Sequence, residues 1–314
     1  MKAFALVSAD QPASLTEVPR PEVGEHDVLV AVKAASVNGI DVFQANGYLA
    51  AMMPHTYPTV VGRDFAGVVE AIGSAVHDHV VGDEVLGFIP ASPPLHSGSF
   101  AEYVAGGPEL VLARKPGSLG FADVAALPLA GVAALDLLDA LGAGKGDILL
   151  VVGATGGVGS FLVQLATQRG LIVVATARPE EQEFAMDLGA VQTIDYTAGS
   201  MADAVRRLYP EGILAVVDVV NQKDGLTELS SVVRSGGHVA TLMNAADVEA
   251  LATRGITGHN VMATPTAEKL RALADLAASR SIRVHIHGDY PLDRAGEAIA
   301  AFQQGTRGKL VVSV

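Results

Sequence analysis

The chain has 314 residues, too long for one ordinary hydrophobic core and suited to two, at roughly 100–200 residues per domain. Half of it is hydrophobic, 18% is charged and the net charge is -13, which excludes an intrinsically disordered chain and, with no Lys/Arg cluster, a nucleic-acid partner. With no cysteine at all, disulfides, thiolate metal sites and a cysteine nucleophile are excluded as well.

Taken in chain order, residues 1–10 read as a short strand rather than a signal peptide. No apolar stretch of about 18 residues follows, so the expectation is a cytoplasmic protein with no membrane association. Residues 27–32 and 66–72 read as further strands, punctuated by turn signals at Gly24, Gly62, Gly73 and Gly82-Asp83. From about residue 122 the texture changes. Nearly continuous apolar strands at 148–152, 171–176, 191–194, 213–219, 238–242 and 260–263 alternate with helical stretches, the pattern of a parallel sheet buried on both faces. Gly170 and Gly189 sit where a left-handed residue would end a helix. Residues 266–280 carry Leu270, Leu273, Ala274 and Ala277 at helical spacing. A strand after Ile282, a helix near 293–304 and a last strand at 309–314 are assigned back to the first half. The expected architecture is α/β: a mainly-β domain of residues 1–121 completed by 283–314, and a doubly wound domain of residues 122–282.

The strongest local signal is Val151-Val152-Gly153-Ala154-Thr155-Gly156-Gly157-Val158-Gly159 followed by an apolar helical face. It reads as strand, glycine turn, helix. Side chains there would block backbone N–H groups from a pyrophosphate, and the helix N-terminus adds partial positive charge. With a second strand following, this is the Rossmann dinucleotide-binding context, and Ala154, Thr155, Gly156, Gly157, Val158 and Gly159 are the candidate cradle. At the end of that second strand, after Thr176, an acid would hold the ribose 2′-hydroxyl of NAD, but the chain offers Ala177-Arg178. The expectation is therefore NADPH, with Thr176 and Arg178 among its contacts; the plain alternative for Arg178 is a solvated surface arginine.

The whole chain resembles the medium-chain dehydrogenase/reductase superfamily. Residues 154–159 look like its A-x-G-G-V-G loop, and residues 58–67 match its P-x-x-x-G-x-D-x-x-G segment. Gly82-Asp83-Glu84-Val85, residues 98–104 and Gly308-Lys309-Leu310-Val311 look like its G-D-x-V, G-x-x-A-E-Y and closing G-K-x-V elements. The resemblance implies a GroES-like catalytic domain beside the Rossmann domain. It also implies a homodimer, in which strands carrying Val239, Thr241, Val261 and Ala263 could extend a sheet across a two-fold axis. Tyr196 resembles the family's I-N-Y tyrosine at the adenosine end of the cofactor. Asn221, Leu242 and Met243 fall at strand carboxyl ends, where ligands bind in open α/β sheets, and Lys309 is carried over as a further cofactor contact.

The departures point to the zinc-independent, quinone oxidoreductase-like branch. Zinc-dependent members have cysteine where this chain has Asn38, and G-H-E where it has Gly62-Arg63-Asp64. No metal site is expected; His77/His79 and His285/His287 are pairs without an evident third ligand. Lacking a Lewis acid for a simple ketone, the chemistry favours a conjugated acceptor, whose developing charge travels to an oxygen that a modest donor can satisfy. The expected reaction is NADPH-dependent reduction of a quinone or α,β-unsaturated carbonyl. The resemblance places Asn38 beside the nicotinamide as the first catalytic candidate, against a turn-stabilising asparagine. It places Tyr48 near the tyrosine proton donor of enoyl-thioester reductases, offset by one residue, against packing or pocket lining. Ala133 stands where the family commonly has threonine. The rival readings are a 2-enoyl thioester reductase and a non-enzymatic NADPH-binding protein.

Overall fold

The computed structural model describes all 314 residues. Two compact units emerge: residues 1–130 with 265–314, and residues 131–264. The elements of the first stretch are β1 (Lys2–Leu6), β2 (Ser14–Glu17), β3 (Val28–Ser36), α1 (Gly39–Ala45), β4 (Thr59–Val60), β5 (Asp64–Ile72), β6 (Glu84–Phe88), β7 (Tyr103–Gly106), β8 (Val111–Arg114) and α2 (Phe121–Ala125). The unit boundary falls inside α3 (Pro128–Ala140). There follow β9 (Ile148–Val152), α4 (Gly157–Gln168), β10 (Ile172–Thr176), α5 (Gln182–Asp187), β11 (Gln192–Ile194), α6 (Met201–Leu208), β12 (Ile213–Asp218), α7 (Lys223–Ser230), β13 (Val233–Thr241), α8 (Val248–Ala252) and β14 (Thr257–Asn260). The chain ends with α9 (Ala267–Ala278), β15 (Ile286–Pro291), α10 (Ala295–Gln303) and β16 (Lys309–Ser313).

The first unit is built on a seven-stranded sheet of order β15-β16-β3-β5-β6-β8, with β7 also pairing β3, and a small sheet β2-β1-β4. All pairs are antiparallel except β15 with β16. One core cluster gathers Val28, Val30, Val32, Phe65, Val69, Val85 and Leu112. Phe65 needs the bare backbone of Gly87 on the paired strand, because a Cβ there would come within 2.4 Å of its ring. A second cluster joins Phe4, Val37, Val61 and Phe100 to Leu292, Ile299, Leu310 and Val312. The C-terminal segment is thereby committed to this unit. Burial of these side chains at ~25 cal/mol per Å² of apolar surface is what fixes that return.

The second unit is a six-stranded, all-parallel sheet of order β11-β10-β9-β12-β13-β14. This is the doubly wound arrangement with its switch point between β9 and β12, where a ligand crevice opens at the strand carboxyl ends. Its core cluster includes Leu150, Val174, Val216, Val239, Leu226 and Leu251. Gly170 and Gly189 adopt the expected left-handed conformation, with φ of +79° and +113°.

Three details differ from the sequence reading. The last strand is Thr257–Asn260, ahead of the 260–263 read from apolar residues. β13 is paired on both sides, to β12 and β14, so Val239 and Thr241, both fully buried, cannot extend the sheet; the free edge at this end of it belongs to β14. The second unit crossing comes before α9 rather than after it, because α9 packs on β8 of the first unit.

Phe65→Ala is expected to destabilise the first unit by about 3–5 kcal/mol, the cost of an unfilled aromatic cavity. Denaturant unfolding of that variant checks it, and a loss under about 1 kcal/mol would show that the sheet collapses around Gly87.

Candidate active site

β3 ends at Ser36, and Asn38, in extended backbone with φ of -132°, caps α1. The Asp41 carboxylate reaches back to the Asn38 backbone N–H at 2.8 Å. That leaves the Asn38 side chain free to turn elsewhere. Its Nδ2 donates to Asp64 Oδ2 at 2.9 Å and, at 3.4 Å, to the Ser36 carbonyl. Its Oδ1 accepts from Lys309 Nζ at 2.6 Å. Lys309 also donates to the Val37 carbonyl at 2.9 Å. Asp64 is held further by the Ser36 hydroxyl at 3.1 Å and the Leu129 N–H at 3.1 Å.

A second limb continues from Arg63, which donates to Gln44 Oε1 at 2.7 Å and the Ser97 carbonyl at 3.2 Å. Gln44 in turn donates to the Val60 carbonyl at 3.1 Å. Asp41 and Asp64 are 0% exposed, Arg63 1%, Lys309 3% and Asn38 7%. The site is thus two carboxylates and two cations, buried together with three amides and hydroxyls. Burial pushes the Asp41 carboxyl up to about 7, with Asp64 adding to the push and Arg63 opposing it. Burial also raises Asp64 against the pull of Lys309, and lowers Arg63 and Lys309 against the pull of the carboxylates. Asp41 Oδ1, Arg63 Nε and Ser99 Oγ have no hydrogen-bond partner in this cluster.

The sequence reading named Asn38 and Lys309 but missed that they bond to each other. It also gave no role to Asp41, Gln44 or Ser36. The available signal was the charged pair Arg63-Asp64 set between Val60-Val61 and Phe65-Ala66, an interruption that an apolar strand tolerates only if the charges find partners. Lys309 is engaged inside the first unit, donating to the Asn38 amide oxygen and to the Val37 carbonyl. Tyr48 is 63% exposed, its ring edge-on to Phe43 with centroids 6.0 Å apart. Phe43, itself 52% exposed, went unnoticed. No group of three or more His, Cys, Asp or Glu could hold a metal ion.

In the second unit, the glycine turn leaves β9 at the switch point. Gly153 has φ of +81°, and a Cβ on Gly159 would lie 2.0 Å from the Gly153 carbonyl, so neither position accepts a side chain. Gly156 caps α4 in extended backbone, leaving the first N–H groups of the helix for a ligand. Thr155 is nearly buried and Ala154 wholly so. Thr176 accepts from the Gly153 N–H at 3.2 Å, tying the turn to β10.

Beyond β10, Arg178 Nε donates to the Tyr196 hydroxyl at 2.7 Å. Two carboxylates that the sequence reading overlooked, Glu180 and Glu181, flank the same guanidinium at 3.8 and 3.7 Å. Asn221 is bonded to Asp218 at the end of β12, Nδ2 to Oδ2 at 2.7 Å. Met243 follows β13 with its N–H on the Thr241 hydroxyl at 3.0 Å, beside Leu242.

Residues 24–128 match the Alcohol dehydrogenase GroES-like domain family, and residues 188–312 the Zinc-binding dehydrogenase family. The chain is 34% identical over 305 residues to the 2-methylene-furan-3-one reductase of Solanum lycopersicum, covering 95% of this chain and 74% of that protein. It is 33% identical over 300 residues to the chloroplastic NADPH-dependent alkenal/one oxidoreductase of Arabidopsis thaliana, covering 93% and 73%. The structure of the quinone oxidoreductase from Coxiella burnetii superposes with a TM-score of 0.90 at 30% identity, covering 100% of this chain and 99% of that one. The chain belongs to the medium-chain dehydrogenase/reductase superfamily, among its quinone oxidoreductase-like members. No helix is long and apolar enough to cross a membrane.

The raised Asp41 carboxyl has a consequence for stability. The native state holds a proton there that the unfolded chain releases near pH 4, so this group's contribution falls as pH rises from about 4 to about 7. Asp41→Asn keeps an oxygen for the Asn38 N–H and removes the titration. Its Tm relative to wild type should move in the variant's favour between about pH 5 and pH 8. Parallel Tm curves over that range would show that Asp41 ionises normally.

Proposed function

We propose that the protein is a cytoplasmic, homodimeric, NADPH-dependent reductase of quinones and α,β-unsaturated carbonyls that works without a metal. The observation that carries this reading is the buried network at Asn38, Arg63 and Asp64. These are the positions that resemble the metal positions of zinc-dependent relatives. Here they present an amide, a guanidinium and a carboxylate, the last already bonded to the amide and facing the Lys309 ammonium, with no cysteine or histidine to ligate a metal. The reduction of alkenals, enones or quinones ascribed to the relatives above suits a site so furnished.

NADPH, when bound, supplies a hydride. In the second unit, the Arg178 guanidinium with the Tyr196 hydroxyl offers charge-assisted donors to the 2′-phosphate, and the free N–H groups at the start of α4 suit the pyrophosphate. Thr176 keeps the turn in shape, with Asn221, Leu242 and Met243 along the same carboxyl edge. In the first unit, Asn38 meets the acceptor. Hydride added to the carbon β to the carbonyl forms the new C–H bond with its own pair and displaces the π electrons through the conjugated system to the oxygen, and the resulting enolate takes a proton from solvent or from the exposed Tyr48 hydroxyl. The free edge of β14 is where a second copy would extend the six-stranded sheet.

Oxidation of NADPH with 1,4-benzoquinone, an enone and a crotonyl thioester tests this directly. Quinone or enone turnover is the expected result. Preference for the thioester would make the protein an enoyl-thioester reductase, and tight binding without turnover would make it a non-enzymatic NADPH-binding protein. Arg178→Ala should weaken NADPH by roughly 10- to 100-fold, the worth of a charge-assisted pair, while NADH affinity stays the same. Titration of nicotinamide fluorescence reads both; equal losses for the two nucleotides would remove Arg178 from phosphate recognition.

A further inference from the structure

We propose that Lys309 and Asp64 are positioning residues that lock the Asn38 amide in one orientation, so that position 38 offers the acceptor's oxygen a hydrogen-bond donor and never an acceptor. This rests on the reading above that Asn38 meets the acceptor, and it gives Lys309 a role exercised through Asn38.

A side-chain amide can ordinarily turn over, exchanging its oxygen and nitrogen at little cost. Here it cannot. An ammonium only donates, and that of Lys309 lies 2.6 Å from Oδ1. A carboxylate only accepts, and that of Asp64 lies 2.9 Å from Nδ2. The flipped amide would set its NH2 against the ammonium and its carbonyl against the carboxylate, with all three groups out of water. Each half of the lock is itself anchored. Lys309 is fixed by the Val37 carbonyl, and Asp64 by the Ser36 hydroxyl and the Leu129 N–H.

One Nδ2 proton is spent on Asp64. The other has only the Ser36 carbonyl at 3.4 Å, a long and weak bond. Asn38 is also the most exposed member of the network, at 7% against 0% for both carboxylates. The second proton is therefore the one available to a ligand. Behind it, the Lys309 ammonium polarises the amide carbonyl, and in a chain of hydrogen bonds each donor strengthens the next. The amide N–H becomes a better donor as charge develops on the acceptor's oxygen, without Lys309 touching the substrate.

The discriminating variant exchanges the two side chains, Asn38→Asp with Asp64→Asn. Shape and net charge are conserved, Lys309 still meets an oxygen at position 38, and the new amide at 64 still bonds across to it. At position 64 the Leu129 N–H keeps its oxygen and the Ser36 hydroxyl turns from donor to acceptor, while at position 38 the polarity offered to the ligand is reversed. The double variant should keep its Tm and NADPH affinity. Its kcat with an enone should fall about 100-fold or more, the scale of one lost donor at a developing oxyanion, with KM little changed. Turnover within about threefold of wild type would overturn the proposal.

Should the exchanged variant not fold, the side-chain amide resonances of Asn38, assigned by their loss in Asn38→Ala, give a second reading. A locked amide shows one proton protected from solvent exchange, and that protection disappears in Lys309→Met. Two equally exchanging protons in the wild-type protein would overturn the lock. A wild type that reduces none of the acceptors would refute the reductase reading, and the resonances would still decide the lock.

Discussion

Two carboxylates cannot be taken out of water without cations to meet them. An isolated buried ion costs several kcal/mol even after relaxation, and the first unit buries Asp41 and Asp64 completely. Much of its architecture follows from that. Arg63 is drawn inward beside Gln44, and Lys309 is drawn from the last strand onto the end of β3. The antiparallel pairing of β16 with β3 brings Val311 opposite Ser36, which sets Lys309 just beyond the strand end where Asn38 begins. Sheet register and charge pairing support the same placement, an agreement between levels that specifies one structure.

The same network determines what chemistry the first unit can offer. Removing one partner of such a pair strands the other, so substitutions here act on several residues at once. A polar group fixed by donors and acceptors of unlike kind is also pre-organised: it needs no rearrangement when charge develops nearby. The second unit meets a different constraint by different means. At the β9–α4 turn, backbone approaches backbone so closely that side chains are excluded, and recognition passes to N–H groups and to Arg178 with Tyr196.

What could be read from the sequence depended on the range of the interaction. The central parallel strands β9, β10 and β12 were legible because they are apolar on both faces, and Gly170 and Gly189 because helix ends are local. The Gly153–Gly159 turn was legible for the same reason. β14 was misplaced because its residues, Thr-Gly-His-Asn, carry no hydrophobic pattern; it is held by pairing with β13 at the edge of the sheet. The second unit crossing was misjudged because the packing of α9 on β8 leaves no mark in either segment alone. The network at Asn38 was half visible. Its residues stood out as departures from the family pattern, but the bond between Asn38 and Lys309 spans 271 positions, and nothing in either neighbourhood announces the other. Glu180 and Glu181 carry no signal in the sequence because their approach to Arg178 depends on the turn after β10, which bends them back onto its guanidinium.

The span between Asn38 and Lys309 also sets an order of events during translation. Residues 131–264 form a unit of contiguous chain and can complete their sheet while the ribosome is still reading onward. Residues 1–130 cannot, because Asp64 and Asn38 lack their ammonium until codon 309 has been read. Until then the nascent N-terminal sheet carries an unneutralised carboxylate and an uncovered edge on β3, the kind of surface that chaperones hold. The strand that closes the sheet of the first unit, β16, is thus made about 270 residues after the β3 edge it covers.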